Sequence, residues 1–207
     1  MSEYHKIETL YERDMDTFKV DPSKLKNATY SLIKTWQWTE KVDGTNIRCI
    51  WKNGTLTFGG KTDNAQIHAD LIKHLYESVS AAKMAEIFPD TNAVIYGEGY
   101  GAGIQKGGDY SPIKRFIVFD VLVDDKWWLS WDNTCDVARR LNLEVVPFIG
   151  EMTLDDATAM VKRGFPSLLG EGKARAEGLV GRTAETLFDK KGHRLIVKLK
   201  TKDFTKP

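Results

Sequence analysis

The sequence predicts an α+β fold in which antiparallel strands outnumber helices. Residues 45–52 and 55–58 are β-rich segments joined by Asn53-Gly54, a pair suited to the positive φ angles of a tight hairpin turn. Between residues 66 and 86, apolar residues recur every three to four positions, which predicts a helix. Three short apolar segments separated by turn residues follow between residues 177 and 200, and they predict strands.

The remaining segments add further strands and two more helices. Strands are predicted at 93–98, 116–123, 126–130, about 144–148, 177–182, 185–189 and 194–200. Helices are predicted at about 133–142 and 153–163, the second with Thr153 as its N-cap and Gly164 placed to end it. Because no repeat or low-complexity linker interrupts the chain, we expect a single domain over residues 1–207.

Composition excludes several classes of protein. Hydrophobic residues make up 42% of the 207 residues and aromatic residues 11%, which is enough for a core and excludes a disordered chain. With 30 Lys+Arg against 29 Asp+Glu, the net charge is +1, so nucleic-acid binding would have to rest on a local patch. Neither a membrane span nor a signal peptide is recognisable, and the two cysteines lack zinc-ligand spacing. We therefore expect a cytoplasmic protein with no membrane partner.

Five short segments carry the residues that are suited to chemistry. In the first, EKVDGTN at residues 40–46, a lysine and a glycine stand together at the entrance to a strand. A motif of this kind alone would also fit an ordinary charged turn. The second, GEGYGAGIQ at residues 97–105, places a carboxylate at a strand end before a glycine-rich stretch. The third, FIVFDV at residues 116–121, is an apolar strand that contains one acidic residue.

The last two segments lie near the end of the chain. EGLVGR at residues 177–182 again begins with a carboxylate before an apolar strand. VKLK at residues 197–200 places Lys198 and Lys200 on one face, because alternate side chains of a strand share a face. Two like charges beside a core are stabilised by an anion, and phosphate is the natural one. A solvated strand face is the alternative interpretation.

In this order, the five segments resemble the motifs of the covalent nucleotidyltransferases, the superfamily of polynucleotide ligases and messenger-RNA capping enzymes. The resemblance is to the bacteriophage-type ATP-dependent RNA ligase family. EKVDGTN resembles its nucleophile motif, YGEGYGAGIQ its third motif, and EGLVGR and VKLKTKDF its fourth and fifth motifs. The resemblance covers residues from about 38 to 204. It implies the nucleotidyltransferase (ATP-grasp-like ligase adenylation) fold, with antiparallel sheets flanked by helices.

The resemblance implies a catalytic role for four residues. Lys41 would attack the α-phosphate of ATP, which gives a lysyl–AMP intermediate and pyrophosphate. Lys198 and Lys200 would bind the α-phosphate, and Glu177 would bind Mg²⁺, or Mn²⁺ in its place. An ordinary lysine is almost wholly protonated at neutral pH, so we expect nearby cations or the metal ion to favour the neutral amine of Lys41.

Four further residues are implied to contact the nucleotide or the incoming end. Glu98 matches the carboxylate that recognises the ribose. Phe119 matches the aromatic residue that stacks on adenine, although core packing would explain this residue as well. Asn46 would contact the phosphate or the incoming 5′-end, and Glu40 would help to fix the base.

The sequence departs from the family pattern at three points. Lys61 is implied to be a nucleotide-binding residue and stands where the family usually has an arginine; it keeps the charge but lacks the bidentate guanidinium, so we expect weaker binding of a 5′-phosphate. Arg182, in the fourth motif, stands where a lysine is more usual, and we expect it to contact the nucleotide. The sequence ends at Pro207, about seven residues after the fifth motif, so we expect no appended C-terminal domain.

The expected function is that of an ATP-dependent RNA ligase acting in RNA repair. It would transfer AMP to a 5′-phosphate end and seal that end to a 3′-hydroxyl, including ends held in a nicked duplex. A DNA nick-sealing ligase, a capping guanylyltransferase of the same superfamily and a non-catalytic nucleic-acid-binding module are the alternatives. Residues 173–202 carry nine Lys/Arg against three acidic residues, which predicts a path for a phosphate backbone or, in the plainer interpretation, a solvated surface.

Overall fold

The computed structural model describes residues 3–17, 19–105, 107–170 and 173–204. By its internal contacts the chain divides into two compact units. The first unit contains Asp43–Val146 together with the segment up to His5, and the second contains Lys6–Val42 together with the chain from Pro147 onwards. Mixed helices and mostly antiparallel strands confirm the predicted α+β class. That the whole chain is a single domain stays a prediction.

Twelve strands and four α-helices are formed in the part of the chain that the structure describes. The strands are β1 Glu8–Thr9, β2 Tyr11–Arg13, β3 Val20–Leu25, β4 Trp36–Lys41, β5 Thr45–Lys52, β6 Thr55–Gly59, β7 Ala93–Tyr100, β8 Arg115–Val123, β9 Trp127–Trp128, β10 Phe148–Met152, β11 Gly178–Arg182 and β12 Ile196–Lys200. The helices are α1 Ala69–Ser78, α2 Ala81–Ile87, α3 Trp131–Leu141 and α4 Leu154–Arg163. Over the described residues, no helix has the length and apolar character that crossing a membrane requires.

The first unit is built on a five-stranded antiparallel sheet in the order β6-β5-β7-β8-β9. The predicted hairpin between β5 and β6 is confirmed, with φ angles of 50° at Asn53 and 75° at Gly54. Helices α1, α2 and α3 contribute to the core on one face of this sheet. Its fully buried members include Ile47, Cys49, Leu71, Leu75, Met84, Ile95 and Val118. The opposite face therefore remains for the polar and aromatic side chains of β5, β7 and β8.

The second unit contains a five-stranded sheet in the order β1-β12-β11-β4-β10. All of its pairs are antiparallel except β1 with β12, which is parallel. Helix α4 packs against it, with Thr153 as the N-cap and Gly164 at the C-cap with φ 69°, as the sequence predicts. The core includes Leu10, Trp36, Trp38, Val161, Leu179 and Val197. Strands β2 and β3 form a separate hairpin beside it.

Two helix boundaries correct the sequence-based prediction. The helix expected over 66–86 is in fact α1 and α2, because the chain turns extended at Val79 and the Ser80 hydroxyl accepts from the Lys83 N–H as a new N-cap. The strand expected over 126–130 is only β9, because Ser130 caps α3 and starts that helix at Trp131, two residues earlier than predicted.

Several predicted strands are shorter than expected or absent. Near 144–148, Val145 makes only a single bridge to Val118, and the strand that forms is β10. Residues 185–189 form no strand; Phe188 makes one bridge to Arg194, and β12 begins only at Ile196. Asp189 gives the reason, since its carboxylate accepts from the backbone N–H groups of two following residues and so satisfies them within a turn. Strands β1 to β4 were not predicted at all.

Replacing Gly97 of β7 with alanine should destabilise the first unit. A Cβ there would lie 2.3 Å from the Phe116 ring and 2.4 Å from the Ile117 carbonyl oxygen, so backbone would have to move. We expect Gly97→Ala to lower the free energy of unfolding by about 1–3 kcal/mol, the usual cost of overpacking, as measured by urea denaturation. Gly108→Ala is the matched control, since the nearest atom there is 3.8 Å away. Equal stability of the two variants would contradict the prediction.

Candidate active site

Three predicted catalytic residues of the second unit are in direct contact. Lys41, at the end of β4, donates from Nζ to Glu177 Oε2 at 2.6 Å. Lys200, at the end of β12, donates from Nζ to Glu177 Oε1 at 2.9 Å. The three side chains are largely buried, with exposed fractions of 23%, 21% and 13% for Lys41, Lys200 and Glu177. Each carboxylate oxygen is therefore bound by a different ammonium group.

Strand register explains why these residues meet. Lys41, Gly178 and Lys200 are partners across the adjacent strands β4, β11 and β12. Because the middle position is glycine, no side chain stands between the two lysines. A Cβ at Gly178 would lie only 1.9 Å from the carbonyl oxygen of Leu199, so the close approach of β11 and β12 also requires glycine. The Glu177 carbonyl accepts from the Thr201 N–H at 2.9 Å, which fixes Glu177 beside the end of β12.

The group is electrostatically unbalanced. Burial opposes ionisation of Glu177, but Lys41 and Lys200 outweigh it and hold the pKa of this carboxyl below its usual value. Lys198 shares the strand face of Lys200, and its pKa is lowered by burial and by the positive charges of Lys200 and Lys41. Two ammonium groups thus bind one carboxylate, and the third, on Lys198, lies close enough to both lysines for their charges to lower its pKa. Such a site attracts an anion, and a phosphate would neutralise the excess charge.

Glu40 has a different environment from its neighbour Lys41. Its side chain is almost completely buried, and it accepts hydrogen bonds from Ser167 Oγ at 2.5 Å and from the Leu168 N–H at 2.9 Å. Burial raises the pKa of Glu40, and these two hydrogen bonds only partly offset the rise. These two hydrogen bonds of Glu40 connect β4 to the loop after α4. Its predicted role in fixing the base stays a prediction.

Arg182 lies at the far end of β11 from Glu177. Its register partners are Gln37 and Ile196, and its side chain is buried. Four residues of strand place its Cα about 13 Å from that of Gly178. The structure therefore does not bring Arg182 to the contact between Lys41 and Glu177, and its nucleotide-binding role stays a prediction.

The first unit holds the remaining predicted residues, of which Asn46 and Glu98 are neighbours. They are register partners on β5 and β7. Asn46 Oδ1 is buried and has no hydrogen-bond partner among the described residues. This oxygen can therefore accept a hydrogen bond from a further donor. Gly44 allows the chain just before β5 to lie against β7, since a Cβ there would lie 2.2 Å from the Gly99 carbonyl oxygen.

Phe119 lies in an aromatic cluster on the sheet face opposite the core. It is half-buried, and its ring meets that of Tyr4 edge to face, with centroids 5.0 Å apart. The Tyr4 ring also contacts Tyr96 and Trp128, and its hydroxyl donates to the buried Asp120 at 2.8 Å. Tyr4 belongs to a segment in which the sequence carries no motif, so its contact with Phe119 was not predicted.

Lys61 is exposed in the loop after β6. This loop is held by Arg48, a residue that was not predicted from the sequence. Arg48 is 1% exposed; its Nε donates to the Gly60 carbonyl oxygen and its Nη2 to Asp63 Oδ1, both at 2.8 Å. A charged residue between the apolar Ile47 and Cys49 in a strand was the signal that could have identified it. The structure thus shows what fixes the loop, whereas the role of Lys61 stays a prediction.

The Glu177 carboxylate of the second unit suits a metal ion whose other ligands are water and substrate phosphates. No cluster of three or more His, Cys, Asp or Glu side chains is arranged to hold a metal within the described ranges. Glu177 offers one carboxylate, whose two oxygens have about four lone-pair sites, of which the lysines use two. Mg²⁺ commonly binds through one or two carboxylates together with water and substrate phosphates, so this donor set suits it.

Comparison with solved structures identifies the fold. The chain is similar to Naegleria gruberi RNA ligase, with a TM-score of 0.68 and 20% identity to a mutant with ATP and Mn, over 96% of this chain and 60% of that one. Against a mutant with AMP and Mn, the TM-score is 0.67 at 18% identity, over 96% and 62%. Against the ligase with PPi, it is 0.64 at 21% identity, over 83% and 50%. This chain therefore spans about half to three-fifths of the length of these relatives.

These likenesses and the antiparallel sheets define the RNA ligase type of nucleotidyltransferase fold, which the resemblance implied. A family model described as RNA ligase matches residues 34–200, most of the chain. The chain belongs to the RNA ligase family. No match was found among curated proteins.

Truncating Glu40 should destabilise the second unit without removing any charge from the Lys41 contact. Glu40→Ala leaves the buried Ser167 Oγ and the partly buried Leu168 N–H without their acceptor. We expect a loss of about 2–4 kcal/mol in the free energy of unfolding, measured by urea denaturation. Glu40→Gln keeps the shape and an acceptor, and it should lose less than half as much. A wild-type stability for Glu40→Ala would show that these hydrogen bonds contribute nothing.

Proposed function

We propose that this protein is an ATP-dependent RNA ligase that works through a lysyl–AMP intermediate. The observation that carries the proposal is the Glu177 carboxylate held between Lys41 and Lys200, with Lys198 on the same strand face. Membership of the RNA ligase family and the nucleotide-bound forms of the Naegleria gruberi ligase support ATP as the substrate.

In the first step, Lys41 Nζ attacks the α-phosphorus of ATP. A nitrogen–phosphorus bond forms, the bond from the α-phosphorus to the bridging oxygen of the β-phosphate breaks, and pyrophosphate leaves while the amine proton is released to solvent. Attack needs the neutral amine. The contact with Glu177 Oε2 fixes the position of the Lys41 side chain at the end of β4.

Lys198 and Lys200 supply the positive charge for the transfer. Both side chains are partly buried at the end of β12, where interactions with a developing charge are stronger than in water. They neutralise the charge that spreads over the phosphate oxygens and help to orient the leaving pyrophosphate. A divalent ion bound with ATP would add Lewis-acid neutralisation of the phosphates, and Glu177 is the residue that would hold it.

The later steps rest on the family assignment. AMP passes from Lys41 to the 5′-phosphate of an RNA end, and a 3′-hydroxyl then displaces AMP and seals the strand. We assign Glu98 to the ribose, Phe119 to the adenine ring and Asn46 to phosphate, with Lys61 at the incoming 5′-phosphate. Each of these assignments is carried over from the family motifs.

The first test is self-labelling of the protein with ATP carrying a label on its α-phosphate. Wild-type protein should retain acid-labile label after denaturation, and Lys41→Ala should lose it by more than about a thousand-fold, because the nucleophile is gone. Lys34→Ala, which removes an exposed lysine close in sequence, is the control and should label normally. Equal label on the Lys41→Ala variant would contradict the proposal.

The same assay identifies the donor and the acceptor. GTP and NAD run beside ATP should give no label if ATP is the donor. Adenylated protein mixed with nicked duplexes that carry RNA or DNA at the 3′-side should seal the RNA ends. Sealing of DNA ends alone would favour the DNA ligase alternative, and the absence of any label would favour a non-catalytic binding module.

Removing either strand lysine should slow lysyl–AMP formation. For Lys200→Ala and Lys198→Ala we expect the rate at saturating ATP to fall by about 10²–10³-fold, the usual effect of losing one electrostatic contact to the transition state. Lys198 makes no ion pair with Glu177 within the described part of the chain, so its variant tests phosphate binding without disturbing that contact. Thermal unfolding checks that both variants are folded. Normal rates in both would rule out this role.

A further inference from the structure

A basic groove lies in the second unit beside the strand that carries Lys198 and Lys200. Its volume is about 480 Å³, and its walls come from the segment before β1, from β1 and β2, from the residue after β3, and from β12 with the turn that follows it. Six cations line it: Lys6, Arg13, Lys26, Lys198, Lys200 and Lys202. The only acidic residues among its described lining are Glu8 and Asp203, so the lining carries an excess of four positive charges.

The backbone holds the groove cations in place. The Leu10 N–H donates to the Lys198 carbonyl oxygen at 3.1 Å, and the Lys26 N–H donates to the Leu10 carbonyl oxygen at 2.9 Å. On another wall, Arg13 forms an ion pair with Asp203 at 2.9 Å. The positions of these cations are therefore set by the sheet and by a buried carboxylate, even though the Lys6 and Lys26 side chains are exposed.

The lysines of the groove are incompletely neutralised. Lys6 pairs with Glu8 at 3.3 Å, but its side chain is 78% exposed and such a pair is weak. For Lys26 and Lys198, the described residues provide no carboxylate within ion-pair distance. Burial and the charges of the neighbouring lysines lower the pKa of Lys198, and the charge of Glu8 offsets this only in part.

The groove is long in the direction of the strands. In the parallel pair, Thr9 of β1 is opposite Lys198 of β12, so Lys6 lies about five strand positions from Lys200. At the usual rise per residue this is about 16 Å. A pyrophosphate ion is far shorter than this span, whereas the successive phosphates of a nucleic-acid strand are spaced along such a path.

We propose that this groove binds the phosphate backbone of the RNA strand whose 5′-phosphate is to be joined, with Lys6 and Lys26 as its distal contacts. The proposal rests on the proposed ligase function, because it leads the strand towards Lys198 and Lys200. Only the last three lysines of the basic tract at 173–202 belong to the groove. The N-terminal cations complete it.

The test compares Lys6→Ala/Lys26→Ala with the wild type in binding a short single-stranded RNA that carries a 5′-phosphate. Fluorescence anisotropy at a series of salt concentrations gives both Kd and its salt dependence. The double variant should bind about 5–10-fold more weakly, and the slope of log K against log salt should fall by about 1.4, which is about 0.7 for each lost phosphate contact to a single strand. The KM for RNA in AMP transfer should rise, while the rate of lysyl–AMP formation stays unchanged.

Lys190→Ala/Lys191→Ala is the matched control. It removes the same charge from the same unit, but from an exposed turn outside the groove lining. The control should keep the wild-type slope; an equal loss in both double variants would mean that general charge, not the groove, binds RNA. If the groove variant keeps its RNA affinity but forms lysyl–AMP slowly and resists inhibition by pyrophosphate, the groove serves the leaving group and the proposal is wrong.

Failure of the ligase function would be visible separately. Wild-type protein that never forms lysyl–AMP would overturn the proposed function, whereas RNA binding and its salt slope do not depend on that reaction. Conversely, normal self-labelling together with an unchanged slope in the groove variant would overturn only the groove. Both variants alter exposed side chains, and thermal unfolding should show wild-type stability.

Discussion

The second unit depends on one carboxylate shared between two ammonium groups. Glu177 binds Lys41 with one oxygen and Lys200 with the other, and so it joins the ends of β4 and β12 across β11. Without it, three lysines would face one another in a largely buried place, which is costly unless another anion takes its position. The positive charge of the lysines therefore connects the stability of the sheet with its affinity for phosphate. The charge that Glu177 partly neutralises would also attract the phosphates of a nucleotide.

The positions of the three lysines and Glu177 follow from strand geometry, whereas their roles came from the family resemblance and stay a prediction. Lys198 and Lys200 alternate along one strand, and Gly178 follows Glu177 at the start of another, so short motifs fix which face each side chain takes. The same local logic gave the hairpin at Asn53-Gly54 and the caps of α4. Where the local residue pattern agrees with the strand register, a single sequence was sufficient to predict the structure.

Features that depend on long-range contacts were missed or misjudged. Tyr4 meets Phe119 and Asp120 more than a hundred residues away, and no spacing rule reveals such a contact. The helix expected over 66–86 is interrupted because Ser80 caps a new helix, which the spacing of apolar residues does not reveal. Strands β1 and β2 were not predicted because they have only two and three residues, and β1 pairs in parallel with a strand almost two hundred residues later. In these cases the tertiary partner decides the structure.

The parallel pairing of β1 with β12 has a consequence for how much of the chain is needed. The family model begins at residue 34, yet the strand that carries Lys198 and Lys200 has its outer edge covered by residues 8 and 9. A fragment trimmed to the matched region would leave that edge with unpaired N–H and C=O groups, which invite pairing with other chains. Residues 8 and 9 thus protect the strand that carries Lys198 and Lys200 from pairing with other chains.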